Sequence, residues 1–133
     1  EDGLYVGVSF RSCIATQKDM IVQRLKAILE LGGGSFTLRG NYPGWQYDRN
    51  SALREEVLAA YQAVCGKQGT IEATHGGLEC GLFVEKLPGL DAVSFGPELH
   101  DVHSVKERLS VASTLRVYEV TRELLRRESA SRK

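Results

Sequence analysis

The spacing of apolar residues changes several times along this chain, and that alternation constrains the fold more than any other feature. Between residues 4 and 10 every second residue is apolar, which predicts a half-buried strand. Over residues 21–29 the apolar positions recur at helical spacing, and residues 35–39 read as a second strand. Residues 4–40 are therefore predicted to form one β-α-β piece with a right-handed connection.

The alternation resumes after a turn-rich, aromatic segment at residues 41–50, which we interpret as a linker. The further predicted elements are a helix from Ser51 that stops at Gly66, a strand at 71–74, a short helix through Phe83, a strand at 91–95 and a last helix from about Val111 to Arg127. Strands and helices in this order predict an α/β fold in which helices pack against mostly buried strands.

Composition narrows the classes of function. The 133 residues carry 17 Lys+Arg and 17 Asp+Glu, so the net charge is zero. Long-range attraction to nucleic acid or to an acidic membrane therefore has no support. No apolar run is long enough to span a bilayer, and three scattered cysteines make no disulfide framework, which favours the cytoplasm. A strand pattern begins almost at Glu1, as expected of a chain cut inside a domain.

Small residues, a carboxylate and two histidines are concentrated between Thr74 and Arg108. The segments are Thr-His-Gly-Gly-Leu-Glu-Cys-Gly at 74–81, Ser-Phe-Gly-Pro at 94–97 and Asp-Val-His-Ser at 101–104. They occupy the ends of short apolar runs within about one βαβ unit. This placement is typical of the wall of an active site in an α/β protein.

The glycines and the residues after them have two interpretations each. The backbone N–H groups of Gly76 and Gly77 could bind a substrate carboxylate, although a plain strand-to-helix turn is the commoner reason for such a pair. Glu79 would lie in the first helical turn, where a carboxylate favours the helix dipole. Cys80 could be a nucleophile, but no cysteine-hydrolase signature surrounds it and buried cysteine is usually inert packing.

His103 and Arg11 are the other candidates. A neutral imidazole is a suitable ligand for zinc, and a histidine on a loop just after a strand can point its side chain into a cleft. Taken alone, a histidine at this position is more often a surface or hydrogen-bonded residue. An arginine on the polar face of a strand, as Arg11 would be, is ordinarily a solvated charge.

Together these segments resemble a known family, the aminoacyl-histidine (Xaa-His) dipeptidases of the two-zinc aminoacylase and carboxypeptidase superfamily. That family carries a near-identical His-Ala-Gly-Leu-Glu-Cys-Gly segment, then a Ser-Φ-Gly-Pro strand end and a Gly-x-His-Ser-Pro-Asp-Glu-x-Val segment. Its Tyr-Pro-Gly-Trp junction is matched at 42–45. The resemblance covers nearly the whole chain.

The resemblance implies a domain organisation and an activity. Residues 1–46 would be the C-terminal β-α-β part of a lid, or dimerisation, domain. Residues 47–133 would be the C-terminal part of a zinc-peptidase catalytic domain. The whole would be a homodimeric enzyme that binds two zinc ions and hydrolyses Xaa-His or related short peptides. The N-terminal remainder of the same protein would then be this chain's partner.

The resemblance also implies roles for particular residues. His103 falls at the family's metal-binding histidine, and Arg11 falls where the family grips the carboxylate end of the dipeptide. The implied substrate-pocket residues are His75, Gly76, Gly77 and Glu79. Before and after the histidine the family pattern is altered at Asp101-Val102 and Val105-Lys106, whereas Glu107-Arg108 is retained.

Most of the family's catalytic apparatus has no counterpart in this sequence. The remaining zinc ligands and the glutamate that activates water lie in the family's N-terminal half, and none of their motifs is present. No catalytic residue is therefore predicted within the chain, and alone it should be inactive. The alternative is a non-catalytic α/β interaction module derived from such an enzyme.

Overall fold

A computed structural model of the protein describes residues 3–74 and 78–131, which contain four α-helices and one antiparallel pair of short strands. In chain order the elements are α1 (Ala15–Leu31), α2 (Ala52–Cys65), α3 (Glu79–Lys86), β1 (Leu99–His100), β2 (Arg108–Leu109) and α4 (Val111–Ser131). The structure is thus of the mixed α/β class, which is the coarse form of the predicted fold.

The described residues form two compact units. The first contains the described residues of Glu1–Asp48 and Ala73–Leu90, and the second those of Arg49–Glu72 and Asp91–Lys133. The boundary after residue 46 between a lid domain and a catalytic domain stays a prediction. The two compact units divide this chain by its own contacts, which does not test where the domains of a parent enzyme would meet.

All four predicted helices are confirmed. Helix α3 continues to Lys86, beyond its predicted end at Phe83, and α4 continues to Ser131, beyond its predicted end at Arg127. A helix satisfies most of its backbone hydrogen bonds within its own segment, so the local sequence carries most of the information needed to place it.

The predicted strands are wrong within the part of the chain that the structure describes. No strand forms at any of the four segments for which one is predicted, which are 4–10, 35–39, 71–74 and 91–95. Leu4 and Val6 are 93% and 65% exposed, although their alternation predicts one buried face. A strand needs a second segment beside it to satisfy its N–H and C=O groups, and alternation of apolar residues does not supply that segment.

In the first unit the chain approaches itself closely at two motif glycines. A Cβ atom on Gly44 would lie 2.5 Å from the carbonyl oxygen of Cys13, and one on Gly81 would lie 3.3 Å from that of Pro43. Only a residue without a side chain fits at Gly44 without displacing backbone. The Tyr-Pro-Gly-Trp segment, predicted to be a linker, is therefore packed between the residues before α1 and helix α3.

In the second unit the core lies between α2 and α4. Val57 and Ala60 of α2 and Val120 of α4 are buried, with Ala60 and Val120 only 0% and 2% exposed. The hydroxyl group of Ser113, which is also buried, donates to the Ser110 carbonyl oxygen at 2.9 Å. This helix pair is the frame that carries the loop described below.

The N-terminus of α2 is fixed by a serine and a distant aspartate. The Ser51 hydroxyl accepts a hydrogen bond from the Arg54 N–H at 3.0 Å and donates one to Asp91 at 2.6 Å. The Leu53 N–H donates to the other oxygen of the same carboxylate at 2.9 Å. These bonds, led by the one from Ser51, lower the pKa of Asp91 below its usual value. Asp91 therefore joins the chain after α3 to the start of α2.

Candidate functional site

His103 lies on the loop of a short hairpin. Leu99–His100 pairs antiparallel with Arg108–Leu109, so that His100 is opposite Arg108, and residues 101–107 connect the two strands. The two strands of this hairpin form the sheet that the structure shows within the described residues. The spacing of apolar residues does not predict it. Each strand has two residues, and both are exposed.

The base of the hairpin is attached to the start of α4. The Ser110 N–H donates to the Glu98 carbonyl oxygen at 3.0 Å, and the Glu98 N–H donates to the Ser113 hydroxyl at 2.8 Å. The Glu98 side chain accepts a further bond from Arg116 at 3.1 Å. Because Ser113 faces the α2–α4 core, the hairpin is anchored to the best-packed part of its unit.

The loop itself is held by two consecutive turns. The Ser104 N–H donates to the Asp101 carbonyl oxygen at 3.2 Å, and the Glu107 N–H donates to the Ser104 carbonyl oxygen at 3.1 Å. The Ser104 hydroxyl donates to the Asp101 carbonyl at 2.7 Å and accepts from the Lys106 N–H at 3.1 Å. An ion pair between Arg108 and the Asp101 carboxylate closes the loop where it meets β2.

Two residues of the loop have a left-handed backbone. Asp101 has φ of 52° and His103 has φ of 65°, and they are the non-glycine residues with positive φ in the described chain. The His103 N–H donates to a carboxylate oxygen of Glu107 at 3.0 Å. This backbone conformation is uncommon outside glycine, so the surrounding bonds must over-determine it.

The His103 imidazole has the chemistry of a zinc ligand but does not make a site alone. The residue is exposed, and its ring has no hydrogen-bond partner among residues 3–74 and 78–131. A neutral imidazole in this exposed position can offer one ring nitrogen to a metal ion. Among the same residues no three His, Cys, Asp or Glu side chains are grouped as a metal site requires. The donor fits zinc, and the further ligands would have to come from elsewhere.

The other predicted site residues belong to the first unit or lie outside the described residues. Glu79 is exposed in the first turn of α3, where a carboxylate favours the helix dipole. Arg11 is exposed and makes no ion pair within the described chain. His75, Gly76 and Gly77 lie outside the described residues. That these residues join His103 in one site stays a prediction.

The cysteines are free in the structure. Cys80 lies half-buried on α3, and Cys13 and Cys65 are half-buried as well. All three share this degree of burial, so the interpretation of Cys80 as packing is kept over that of a nucleophile.

Comparison with known proteins adds two relatives. The chain is 38% identical over 116 residues to the cytosol non-specific dipeptidase of Escherichia coli (strain K12), a match that covers 87% of this chain and 24% of the relative. Among solved structures, it is similar to the crystal structure of the aminoacylhistidine dipeptidase from Vibrio alginolyticus, with a TM-score of 0.69 and 32% sequence identity. That match covers 86% of this chain and 23% of the dipeptidase chain. No protein-family model matches the chain.

The chain is homologous to the C-terminal part of these dipeptidases. The predicted resemblance is thereby confirmed, and the chain spans about a quarter of the length of either relative. Within the described residues no helix is both long enough and apolar enough to cross a membrane.

The structure explains one departure from the dipeptidase pattern. Where that pattern has glycine two residues before the histidine, this chain has Asp101 with a left-handed backbone. Aspartate tolerates this conformation better than most residues, because its short side chain can bond locally. Here the Asp101 carboxylate pairs with Arg108. Val105 and Lys106, the later departures, are exposed and leave the two turns intact.

Sequence reasoning missed two residues that shape this region. The apolar pattern predicts a strand at Asp91, but its carboxylate accepts the N–H of Leu53 in α2, 38 positions earlier in the chain. The family pattern marks Glu107 only as a retained residue, although its side chain accepts the His103 N–H. The Asp91 contact is remote in sequence and left no local signal. The Glu107 contact spans only four residues, so a carboxylate four positions after a turn residue is its local signal.

Proposed function

We propose that this chain is the C-terminal part of a zinc-dependent dipeptidase that hydrolyses Xaa-His or related short peptides. The observation that supports this most strongly is the match to dipeptidases over 87% of the chain at 38% identity. The name of the Vibrio alginolyticus relative, aminoacylhistidine dipeptidase, suggests the class of substrate. We place the parent enzyme in the cytoplasm as a homodimer.

His103 would be one ligand of a two-zinc site, and the exposure of its imidazole supports that role. When bound, zinc polarises a peptide carbonyl and lowers the pKa of water so that it can attack at neutral pH. The contribution of this chain is to hold one imidazole at a fixed place on a short, turn-rich loop. The other ligands and the glutamate that activates water would come from the N-terminal remainder of the same protein.

The substrate would be held by residues of the first unit. A guanidinium presents two parallel N–H donors to a carboxylate, so Arg11 is proposed to hold the C-terminal carboxylate of the dipeptide. His75, Gly76, Gly77 and Glu79 are proposed to line the pocket, with the glycine backbone N–H groups as donors. Glu79 could equally serve only the helix dipole, given its place in the first turn of α3.

Two histidines close together on the hairpin allow a matched test in the protein that the intact gene encodes. We expect His103→Ala to reduce kcat/KM for an Xaa-His dipeptide by more than about a hundredfold and to lower bound zinc, since a direct ligand is lost. His100→Ala removes an exposed imidazole from β1, which is not a proposed ligand, and should change neither quantity.

The test should also include the 133-residue chain alone, which we expect to have no peptidase activity. Full activity and full zinc content in His103→Ala would contradict the proposed ligand. An intact protein without zinc or peptidase activity would favour the alternative, a non-catalytic α/β interaction module.

A further inference from the structure

The backbone conformation of His103 is uncommon for a residue with a side chain. A histidine at φ of 65° lies in a region that residues with a Cβ atom seldom occupy, and nothing in its own side chain holds it there. Its imidazole is exposed and has no hydrogen-bond partner within the described residues, so neither packing nor a ring hydrogen bond fixes it. The direction of the Cα–Cβ bond is therefore set by the backbone.

The backbone of His103 is held from one side by Glu107. The carboxylate oxygen Oε2 of Glu107 accepts the His103 N–H at 3.0 Å, a bond to an ionised acceptor and so stronger than one between neutral groups. The two turns centred on Ser104 bring residue 107 back beside residue 103, which makes this bond possible. The Asp101–Arg108 ion pair closes the loop on its other side.

We infer that Glu107 is a positioning residue for His103: its carboxylate, by accepting the backbone N–H, holds the main chain at residue 103 and so the direction of the Cα–Cβ bond from which the imidazole projects. The inference rests on the proposed function, in which that imidazole binds zinc. Glu107 acts through the main chain and touches neither metal nor substrate. Groups that orient a ligand typically change metal affinity about ten- to a hundredfold when they are removed.

The chain offers a matched control on the same hairpin. Glu98 is also an exposed glutamate and pairs with Arg116, yet its side chain makes no bond to residues 101–107. Glu98→Gln therefore removes one negative charge from the hairpin and leaves the loop bonds in place. Glu107→Ala removes the acceptor, while Glu107→Gln keeps a neutral oxygen that can still accept the N–H and should restore part of the effect.

The experiment uses the intact protein and three measurements. Hydrogen–deuterium exchange of the peptide that contains residues 101–107 reports on the loop, and titration with zinc reports on affinity. The visible spectrum after replacement of zinc by cobalt(II) reports on ligand geometry. For Glu107→Ala we expect faster exchange at His103, a roughly tenfold or greater loss of zinc affinity and an altered cobalt spectrum. Glu98→Gln should leave all three unchanged.

The outcomes separate this inference from the proposed function. If His103→Ala loses zinc but Glu107→Ala keeps wild-type exchange, affinity and spectrum, the positioning role is overturned while the proposed function stands. The inference is also overturned if Glu107→Ala lowers only the Tm, without a change in affinity or spectrum. If His103→Ala keeps full zinc, the proposed function has failed, and the positioning role toward a metal fails with it.

Discussion

Apolar side chains are buried between α2 and α4 but exposed in the segment from residue 3 to residue 12. The buried apolar residues of the described chain all belong to the helix pair, namely Val57, Ala60 and Val120. The N-terminal segment has apolar residues as regular in spacing, yet Leu4, Val6 and Val8 are 93%, 65% and 60% exposed. Regular spacing therefore stabilises a segment only where a second element lies against the apolar face.

The same contrast runs along the two faces of α4. Val120 faces α2 and is 2% exposed, whereas Leu115 and Leu125 on another face are 63% and 64% exposed. Burying an aliphatic side chain stabilises a fold by about 1.5–3 kcal/mol, and an exposed one contributes almost none of this. The stability of the second unit should therefore depend on the face of α4 that meets α2.

The largest expected effect is that of a charge placed in the α2–α4 core. Val120→Asp would bury a carboxylate between α2 and α4 without a partner, and we expect it to cost at least about 3 kcal/mol or to unfold the second unit. Leu125→Asp introduces the same group on the exposed face of the same helix and should change stability by less than about 0.5 kcal/mol. Urea unfolding of the chain followed by circular dichroism measures both.

Similar losses for Val120→Asp and Leu125→Asp would break the comparison, because they would mean that the two faces of α4 are not different in solution. A loss confined to Val120→Asp would locate the stability of the second unit in the helix pair.

A smaller effect is expected at the cap of α2. Asp91→Asn keeps the shape of the side chain but weakens the bonds from Ser51 and the Leu53 N–H, which are 2.6 and 2.9 Å long. Because the residue is only half-buried and water screens part of the charge, we expect a loss of about 1–2 kcal/mol at neutral pH. The exposed Asp19 of α1 offers a matched control, since Asp19→Asn should leave stability unchanged.

The pH dependence gives this prediction a sign. The hydrogen bond from Ser51 lowers the pKa of Asp91 in the folded state, so the folded protein favours the ionised carboxylate more than the unfolded chain does. The stabilisation is present above the ordinary carboxyl pKa of about 4 and is lost as the pH falls through the lower, folded value. The difference between wild type and Asp91→Asn should therefore shrink below about pH 4. A difference that stayed constant from pH 7 to pH 3 would mean that the charge of Asp91 does not matter.

The helices could be predicted from the sequence because their hydrogen bonds are local. The end of α2 shows this at the level of one residue, since Gly66 takes the left-handed conformation, with φ of 69°, that commonly follows a helix. The motif around His103 is likewise carried by consecutive residues, at 101–104.

The parts that could not be predicted depend on contacts between segments far apart in the chain. Whether residues 4–10 form a strand depends on a partner, and the sequence of those residues does not name one. The role of Asp91 depends on its bond to Ser51, which precedes α2 and lies 40 positions earlier in the chain. For the candidate site, the sequence pattern singles out His103, but not its left-handed backbone or the bond from its N–H to Glu107.

The smallest expected effect lies in the N-terminal segment, and it sharpens the comparison most. Val6 is 65% exposed, so Val6→Asp should change the stability of this chain by less than about 0.5 kcal/mol. If another segment covers one face of residues 4–10 in a longer parent protein, the same substitution should be clearly destabilising there, because Val6 would be buried. Thermal unfolding of Val6→Asp in both proteins measures the difference. A large loss in the 133-residue chain would mean that this segment is packed even in the chain alone, and the contrast with the α2–α4 pair would then be wrong.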